Sequence, residues 1–204
     1  MNDHRPFSIL HVCVGNICRS VLAERLTRLE VQKRLGRQAH LVQVSSAGTR
    51  ARPNAPMHPH TAAALRALGA TTDQSAARRL TPALITAADV ILTATVTERD
   101  DVLSMMPAAL NRTFTLREFA RLSVHLPPPE SSPLFQPRAV VSTVLGLRWR
   151  LAAGAYDGDD IADPRRTRAA LQVCAGVIAD AVRCSMSALF TAGDALRLED
   201  QPRA

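Results

Sequence analysis

Phe7-Ser8-Ile9-Leu10-His11-Val12-Cys13-Val14-Gly15-Asn16-Ile17-Cys18-Arg19-Ser20 is the stretch on which the fold turns. Residues 7–12 are short and largely apolar, as a buried strand requires, and a Gly-Asn turn follows them. Beyond it Leu22, Leu26 and Leu29 recur at helical spacing, so the segment reads as strand, loop, helix. The alternation continues. Residues 41–44 read as a second strand, 57–68 as a helix ending at Gly69, 89–94 as a third, buried strand, and 112–116 as a fourth. Residues 140–151 read as a helix, Asp157 to Asp160 as an acidic turn, and 166–190 as a long helix with an apolar stripe through Leu171, Cys174, Ile178, Val182 and Leu189. Strands alternating with helices predict an α/β protein: a parallel sheet covered on both faces, with ligands at the carboxyl ends of its strands. The loop from Cys13 to Arg19 lies at such an end.

The chain has 204 residues, 47% of them hydrophobic, enough to bury one sizeable core. One domain is expected over residues 1–190, with a Pro-rich surface loop at about 123–137 and a loose tail at 191–204. The N-terminus is polar, without the order of a signal peptide, and no apolar run is read as approaching the roughly 20 residues that span a bilayer. A cytoplasmic protein with no membrane insertion is therefore expected, and a monomer is the default. The formal net charge is +7, and Lys33 is the one lysine among 25 basic residues. Those arginines are scattered and aromatics make up 3%, which argues against nucleic-acid binding and for a positive field that favours anionic substrates. Four cysteines, at 13, 18, 174 and 184, do not form a secreted disulfide framework in a chain of this length, and they read as thiols. Their spacings match no zinc pattern, no Gly-x-x-x-x-Gly-Lys run is present, and Arg168 stands where a calcium loop from Asp157 would need Glu. No cofactor and no metal are expected.

A cysteine followed after five residues by an arginine is a weak signal in so arginine-rich a chain. Its context carries the argument. Between a strand and the first turn of a helix, successive backbone N–H groups can converge on an anion and the helix dipole adds positive potential. Gly15 is expected to permit close backbone approach, and Asn16 to tolerate a left-handed conformation. Arg19 can hold two oxygens of a tetrahedral anion with its planar fork. The same field favours the thiolate of Cys13, the nucleophilic form of the side chain, and Ser20 is placed to donate a hydrogen bond to it. The bland alternative for Cys13 is a small buried hydrophobe. A carboxylic acid is the other group such chemistry needs, and Asp157, Asp159, Asp160 and Asp163 compete for the role. Only Asp163 is fixed by a following proline, at what reads as a helix start, where a plain helix cap is the competing explanation.

Residues 12–20 resemble the active-site loop of the low-molecular-weight protein tyrosine phosphatases. Ser45-Ser46-Ala47-Gly48-Thr49 resembles the family's second signature, and Asp163-Pro164 its general-acid motif, in the family's order. The resemblance implies a three-layer fold with a four-stranded parallel sheet flanked by helices, no metal, and hydrolysis of phosphate monoesters, foremost protein phosphotyrosine, through a phosphocysteine. It implies Cys13 as nucleophile, Arg19 as phosphate clamp and Asp163 as general acid. Val14, Gly15, Asn16, Ile17, Cys18 and Ser20 would then bind the phosphate, with Ser46 supporting the loop, and a phosphorylated protein would be the partner. By the same resemblance Cys18 could form a reversible disulfide with Cys13, a packed thiol being the alternative.

The chain departs from the family at Val21, where proline is usual, at Arg165 and Arg166, where aromatics commonly follow the Asp-Pro pair, and at Arg50 and Ala51 beyond the second signature. The last two changes replace groups that grip the substrate ring with a charged rim, which favours acidic surroundings of the phosphate. Two other readings compete: an arsenate reductase on the same fold that uses an external thiol, and a phosphate-binding protein without turnover.

Overall fold

The computed structural model describes residues 5–73, 76–127, 136–151 and 158–190. Four strands, β1 (Phe7–Cys13), β2 (Val42–Gly48), β3 (Val90–Thr93) and β4 (Thr113–Thr115), form one sheet in the order β2-β1-β3-β4 with every pair parallel. The expected four-stranded α/β sheet is thus present. Helix α1 (Arg19–Leu35) follows β1, and α2 (Pro59–Ala67) and α3 (Pro82–Ala87) lie between β2 and β3. Helix α4 (Val96–Met105) lies between β3 and β4, and α5 (Leu116–Ser123), α6 (Pro137–Leu151) and α7 (Arg168–Leu189) follow β4.

Strand β1 is central and faces two cores, as the period-two alternation of side chains requires. Phe7 and Ile9 pack with Leu22, Leu26, Phe114, Phe119, Ile178 and Val182 on the side of α1, α5 and α7. Leu10 and Val12 pack on the other side with Ala47, Ile91, Ile85 and Val102, which brings in α3 and α4. A three-layer arrangement results. Helix α7 is long and apolar enough, by length and composition, to cross a membrane, contrary to the expectation that no apolar run approaches that length. Its expected stripe of Leu171, Cys174, Ile178, Val182 and Leu189 is buried in the core with α1, α2 and α5 as neighbours. Phe190, just past its end, meets Phe7 edge to face with ring centroids 6.1 Å apart.

Several boundaries differ from the sequence reading. Strand β2 runs to Gly48, and α6 begins at Pro137, where a proline lacking its N–H does no harm in a first helical turn. Gly69 ends the α2 region with a φ of 74°, as the helix stop predicted. Helices α3, α4 and α5 were not anticipated. Most of the Pro-rich stretch (128–135), Asp157 and the expected tail (191–204) lie outside the described residues.

Candidate active site

Cys13 ends β1 beside Gly48 of β2, and the chain loops through residues 14–18 into α1, which opens with Arg19. Asn16 shapes this loop. Its φ of 52° is the left-handed conformation expected of it, and its buried side chain is fully occupied. Asn16 Nδ2 donates to Ser20 Oγ at 3.0 Å and to Ser46 Oγ at 2.8 Å, and Asn16 Oδ1 accepts from Arg78 N at 2.9 Å. Ser46 Oγ in turn donates to buried Glu24, whose other oxygen pairs with Arg28. Ser46 is thereby hydrogen-bonded to both Asn16 of the loop and Glu24 of α1. Glu24 and Arg78, which complete the network, were missed, although Glu24 lies one helical turn beyond Ser20 on the same face of α1.

Glycine is sterically demanded at position 48 and not at 15. A Cβ on Gly48 would stand 2.5 Å from Val14 O and 2.9 Å from Asn16 N, both backbone atoms of the loop. At Gly15 the nearest atom would be Ile17 Cγ1 at 3.6 Å, ordinary contact, and its φ is not positive. Within the protein it is Gly48, under the loop, where backbone segments approach too closely for a Cβ. Thr49 N and Arg50 N donate to Cys13 O and Val14 O, each at 2.9 Å, and pin the loop along the same edge.

The Cys13 sulfur is buried and stands 2.9 Å from Ser20 Oγ and 3.3 Å from Asn16 N. The backbone N–H groups of Gly15, Ile17 and Cys18 are spent on no acceptor among the described residues. Beside a helix N-terminus such donors suit an anion. Burial pushes the Cys18 thiol above its usual range, Thr61 opposing and the charge of Cys13 adding to the rise. All four cysteines are free thiols. Cys174 lies close enough for the charges of Arg19, Cys18 and Cys13 to act on it, a proximity that linear spacing concealed, and burial drives its thiol up to about 11.

Arg19 is held on three sides. Nη1 donates to Ile161 O at 3.0 Å, Nη2 lies 3.2 Å from Glu98 Oε1, and Nε lies 3.1 Å from Asp163 Oδ1 without hydrogen-bond alignment. Glu98, buried on α4, is a further residue that sequence reading missed. The segment bearing Asp163 hangs from the carboxyl ends of β3 and β4: Ile161 N donates to Ala94 O at 2.8 Å, and Thr115 Oγ1 to Asp159 O at 3.0 Å. Two of the competing acids are engaged elsewhere. Asp160 accepts from Val96 N at 2.8 Å, and Asp159 takes both Nε and Nη2 of Arg121, at 3.1 and 2.7 Å. Asp163, whose side chain is 76% exposed, turns to Arg19. It is not at a helix start, as the sequence reading had it: α7 begins at Arg168 and is capped by Thr167 Oγ1, which accepts from Ala170 N at 3.3 Å. The helix-cap explanation of Asp163 falls with that placement.

Cys13, Val14, Gly15, Ile17, Cys18, Arg19, Asp163, Pro164 and Arg166 line a cleft with about 110 Å³ of room. Of the residues read as the site, the loop and the acid meet here, while Asn16, Ser20 and Ser46 lie behind it. Among the described residues no cluster of three His, Cys, Asp or Glu side chains is placed to hold a metal ion.

Residues 8–135 match the family model described as low molecular weight phosphotyrosine protein phosphatase. The "Probable low molecular weight protein-tyrosine-phosphatase EpsP" of Ralstonia nicotianae is 31% identical over 117 residues, which are 57% of this chain and 75% of that protein. A protein-arginine-phosphatase of Bacillus subtilis is 33% identical over 111 residues, 54% of this chain and 71% of its own length. In fold, the chain is similar to the crystal structure of the Erwinia amylovora tyrosine phosphatase amsI, with a TM-score of 0.65 at 22% identity, covering 93% of this chain and 97% of that one. The strand-loop-helix with Cys13 and Arg19 lies inside the matched span, and the four-stranded parallel sheet is the one the likeness in fold carries. The chain belongs to the low molecular weight phosphotyrosine protein phosphatase family and is a cysteine-dependent phosphatase.

Proposed function

We propose that the protein hydrolyses phosphotyrosine in protein substrates through a phosphocysteine on Cys13. The observation that carries this reading is the alignment of groups around one cleft: a sulfur with two hydrogen-bond donors beside it, unspent loop N–H groups, a buried guanidinium, and a carboxylate against that guanidinium. In the first step the Cys13 thiolate attacks phosphorus, the S–P bond forms and the P–O bond to the phenol breaks. Arg19 and the loop N–H groups hold the oxygens as charge spreads over them. Asp163 gives its proton to the departing phenolate, whose conjugate acid has a pKa of about 10 and which leaves poorly without one. In the second step water attacks phosphorus, Asp163 takes the water proton, and the thiolate leaves toward the Ser20 hydroxyl.

Phosphoarginine is the substrate class in the names of other similar proteins. The lining of this cleft speaks for tyrosine, because among the described residues its one carboxylate, Asp163, already faces Arg19, and it carries Arg166, which repels a substrate guanidinium. Arsenate reduction through an internal relay is disfavoured as well, since Cys174 is a neutral thiol at physiological pH and a poor attacking group. The deciding experiment is rapid acid quench with a labelled phosphotyrosyl peptide. Label is expected on Cys13, with turnover abolished in Cys13→Ser. Hydrolysis that survives in Cys13→Ser, or a strong preference for phosphoarginine, overturns the reading.

A further inference from the structure

The mouth of the cleft is more basic than a phosphate alone requires. Arg166 lines it, and its charge reaches Cys18 on one wall and His58 beyond. Arg165 precedes it in the chain and is exposed. Arg50 is exposed, and its backbone N donates to the carbonyl of Val14, a residue that lines the cleft. None of the three has a carboxylate partner among the described residues. Arginines such as Arg121 and Arg148, away from the mouth, are neutralised by Asp159 and Glu118. Among the described residues, none that lines the cleft has an aromatic side chain that could grip a substrate ring.

A substrate segment crossing this mouth has its neighbouring residues about 3.3–3.6 Å apart along an extended chain. Side chains within about three residues of the phosphorylated one therefore fall inside the screening length of about 10 Å at 0.1 M salt. We propose that Arg166, Arg165 and Arg50 form a recognition rim that selects phosphorylated protein segments carrying Asp or Glu close to the phosphotyrosine, an inference that rests on the phosphatase reading above. Exposed charge pairs are individually weak, so the rim acts as a summed field and not as one strong contact. It discriminates chiefly against basic segments, where like charges meet.

The test compares kcat/KM of the full chain on three phosphotyrosyl peptides of equal length whose flanks are Glu, Ala or Lys, with para-nitrophenyl phosphate alongside. The Glu peptide is expected to exceed the Ala peptide by about 3- to 10-fold at low salt and the Lys peptide by more, with the differences shrinking in about 0.5 M salt. Arg166→Gln and, separately, Arg50→Glu, which lies outside the cleft lining, are each expected to lower the Glu-to-Ala ratio; a cooperative melt shows that each variant is folded. Equal kcat/KM on all three peptides, or a ratio unchanged in both folded variants, overturns the rim. Competition by RNA or anionic vesicles as strong as that by the Glu peptide overturns it too, because the surface would then not be reading protein segments. Loss of turnover on every substrate, para-nitrophenyl phosphate included, would instead bring down the phosphatase reading on which the rim depends.

Discussion

Arg19 Nε and Asp163 Oδ1 stand 3.1 Å apart, so the proposed anion clamp and the proposed general acid meet in the lining of one cleft. On the proposed mechanism, a phosphate bound beside Arg19 would compete with this carboxylate for the same cation.

That relationship makes Asp163 testable through the leaving group. In single-turnover release of the phenol, Asp163→Asn is expected to slow phosphotyrosine about 10²- to 10⁴-fold and an activated nitrophenyl ester much less, since the latter leaves without a proton. Equal losses on both substrates would remove Asp163 from proton transfer.

Glu98 positions Arg19 from beneath, with both side chains almost fully buried. Glu98→Ala leaves a guanidinium without that partner and is expected to destabilise the fold by about 3–5 kcal/mol, the usual effect of breaking a buried pair. The remaining folded enzyme should lose about 10²-fold in kcat/KM through misplacement of the clamp. Glu98→Gln, which keeps the shape, should recover part of the activity; if it behaves like Glu98→Ala in stability and exceeds it in nothing, Glu98 is structural only.

Gly48→Ala forces a methyl group against two backbone atoms of the loop. Overpacking of this kind typically costs about 1–3 kcal/mol, here concentrated on Val14 and Asn16. Lower thermal stability with a larger loss of phosphate affinity is expected. The corresponding Gly15→Ala should melt like the parent protein, since no protein atom obstructs its Cβ.

His11, wholly buried in β1, bonds through Nε2 to Thr27 Oγ1 at 2.9 Å, and burial, aided by the charge of Arg28, lowers its pKa to about 3. The unfolded chain protonates near pH 6.5 while the native state does not, so this group favours folding fully above pH 6.5 and progressively less as pH falls toward 3. The slope approaches about 1.4 kcal/mol per pH unit in that window. Urea unfolding between pH 7 and 5, before most carboxylates titrate, should show the decline in the parent and lack it in His11→Gln.

The strand-loop-helix around Cys13 was legible because its strand is apolar, its turn residues have unusual conformational freedom and its helix repeats leucine. The left-handed Asn16 follows from residue type. Glu98 stayed hidden for a physical reason: Thr95-x-x-Glu98 has the form of a helix-capping sequence, and Thr95 Oγ1 does accept from Glu98 N, so nothing local marks the other carboxylate oxygen as the partner of Arg19. Helix α5 carried the same signature in Thr115 and Glu118, whose reciprocal cap forms, yet its eight residues are too few for periodicity to declare them. Helix α4 buries only Glu98 and Val102, which leaves almost no apolar pattern to read.

The hydrogen bonds that seat Asp159, Asp160 and Ile161 reach Ala94 and Val96 past β3, Thr115 of β4, and Arg117 and Arg121 of α5. Asp163 therefore stands on a segment moored to β3, β4 and α5, while Cys13 ends β1, the strand paired with β3. Residues far apart in the chain thus share one frame, and a displacement of the strand ends would shift both walls of the cleft together.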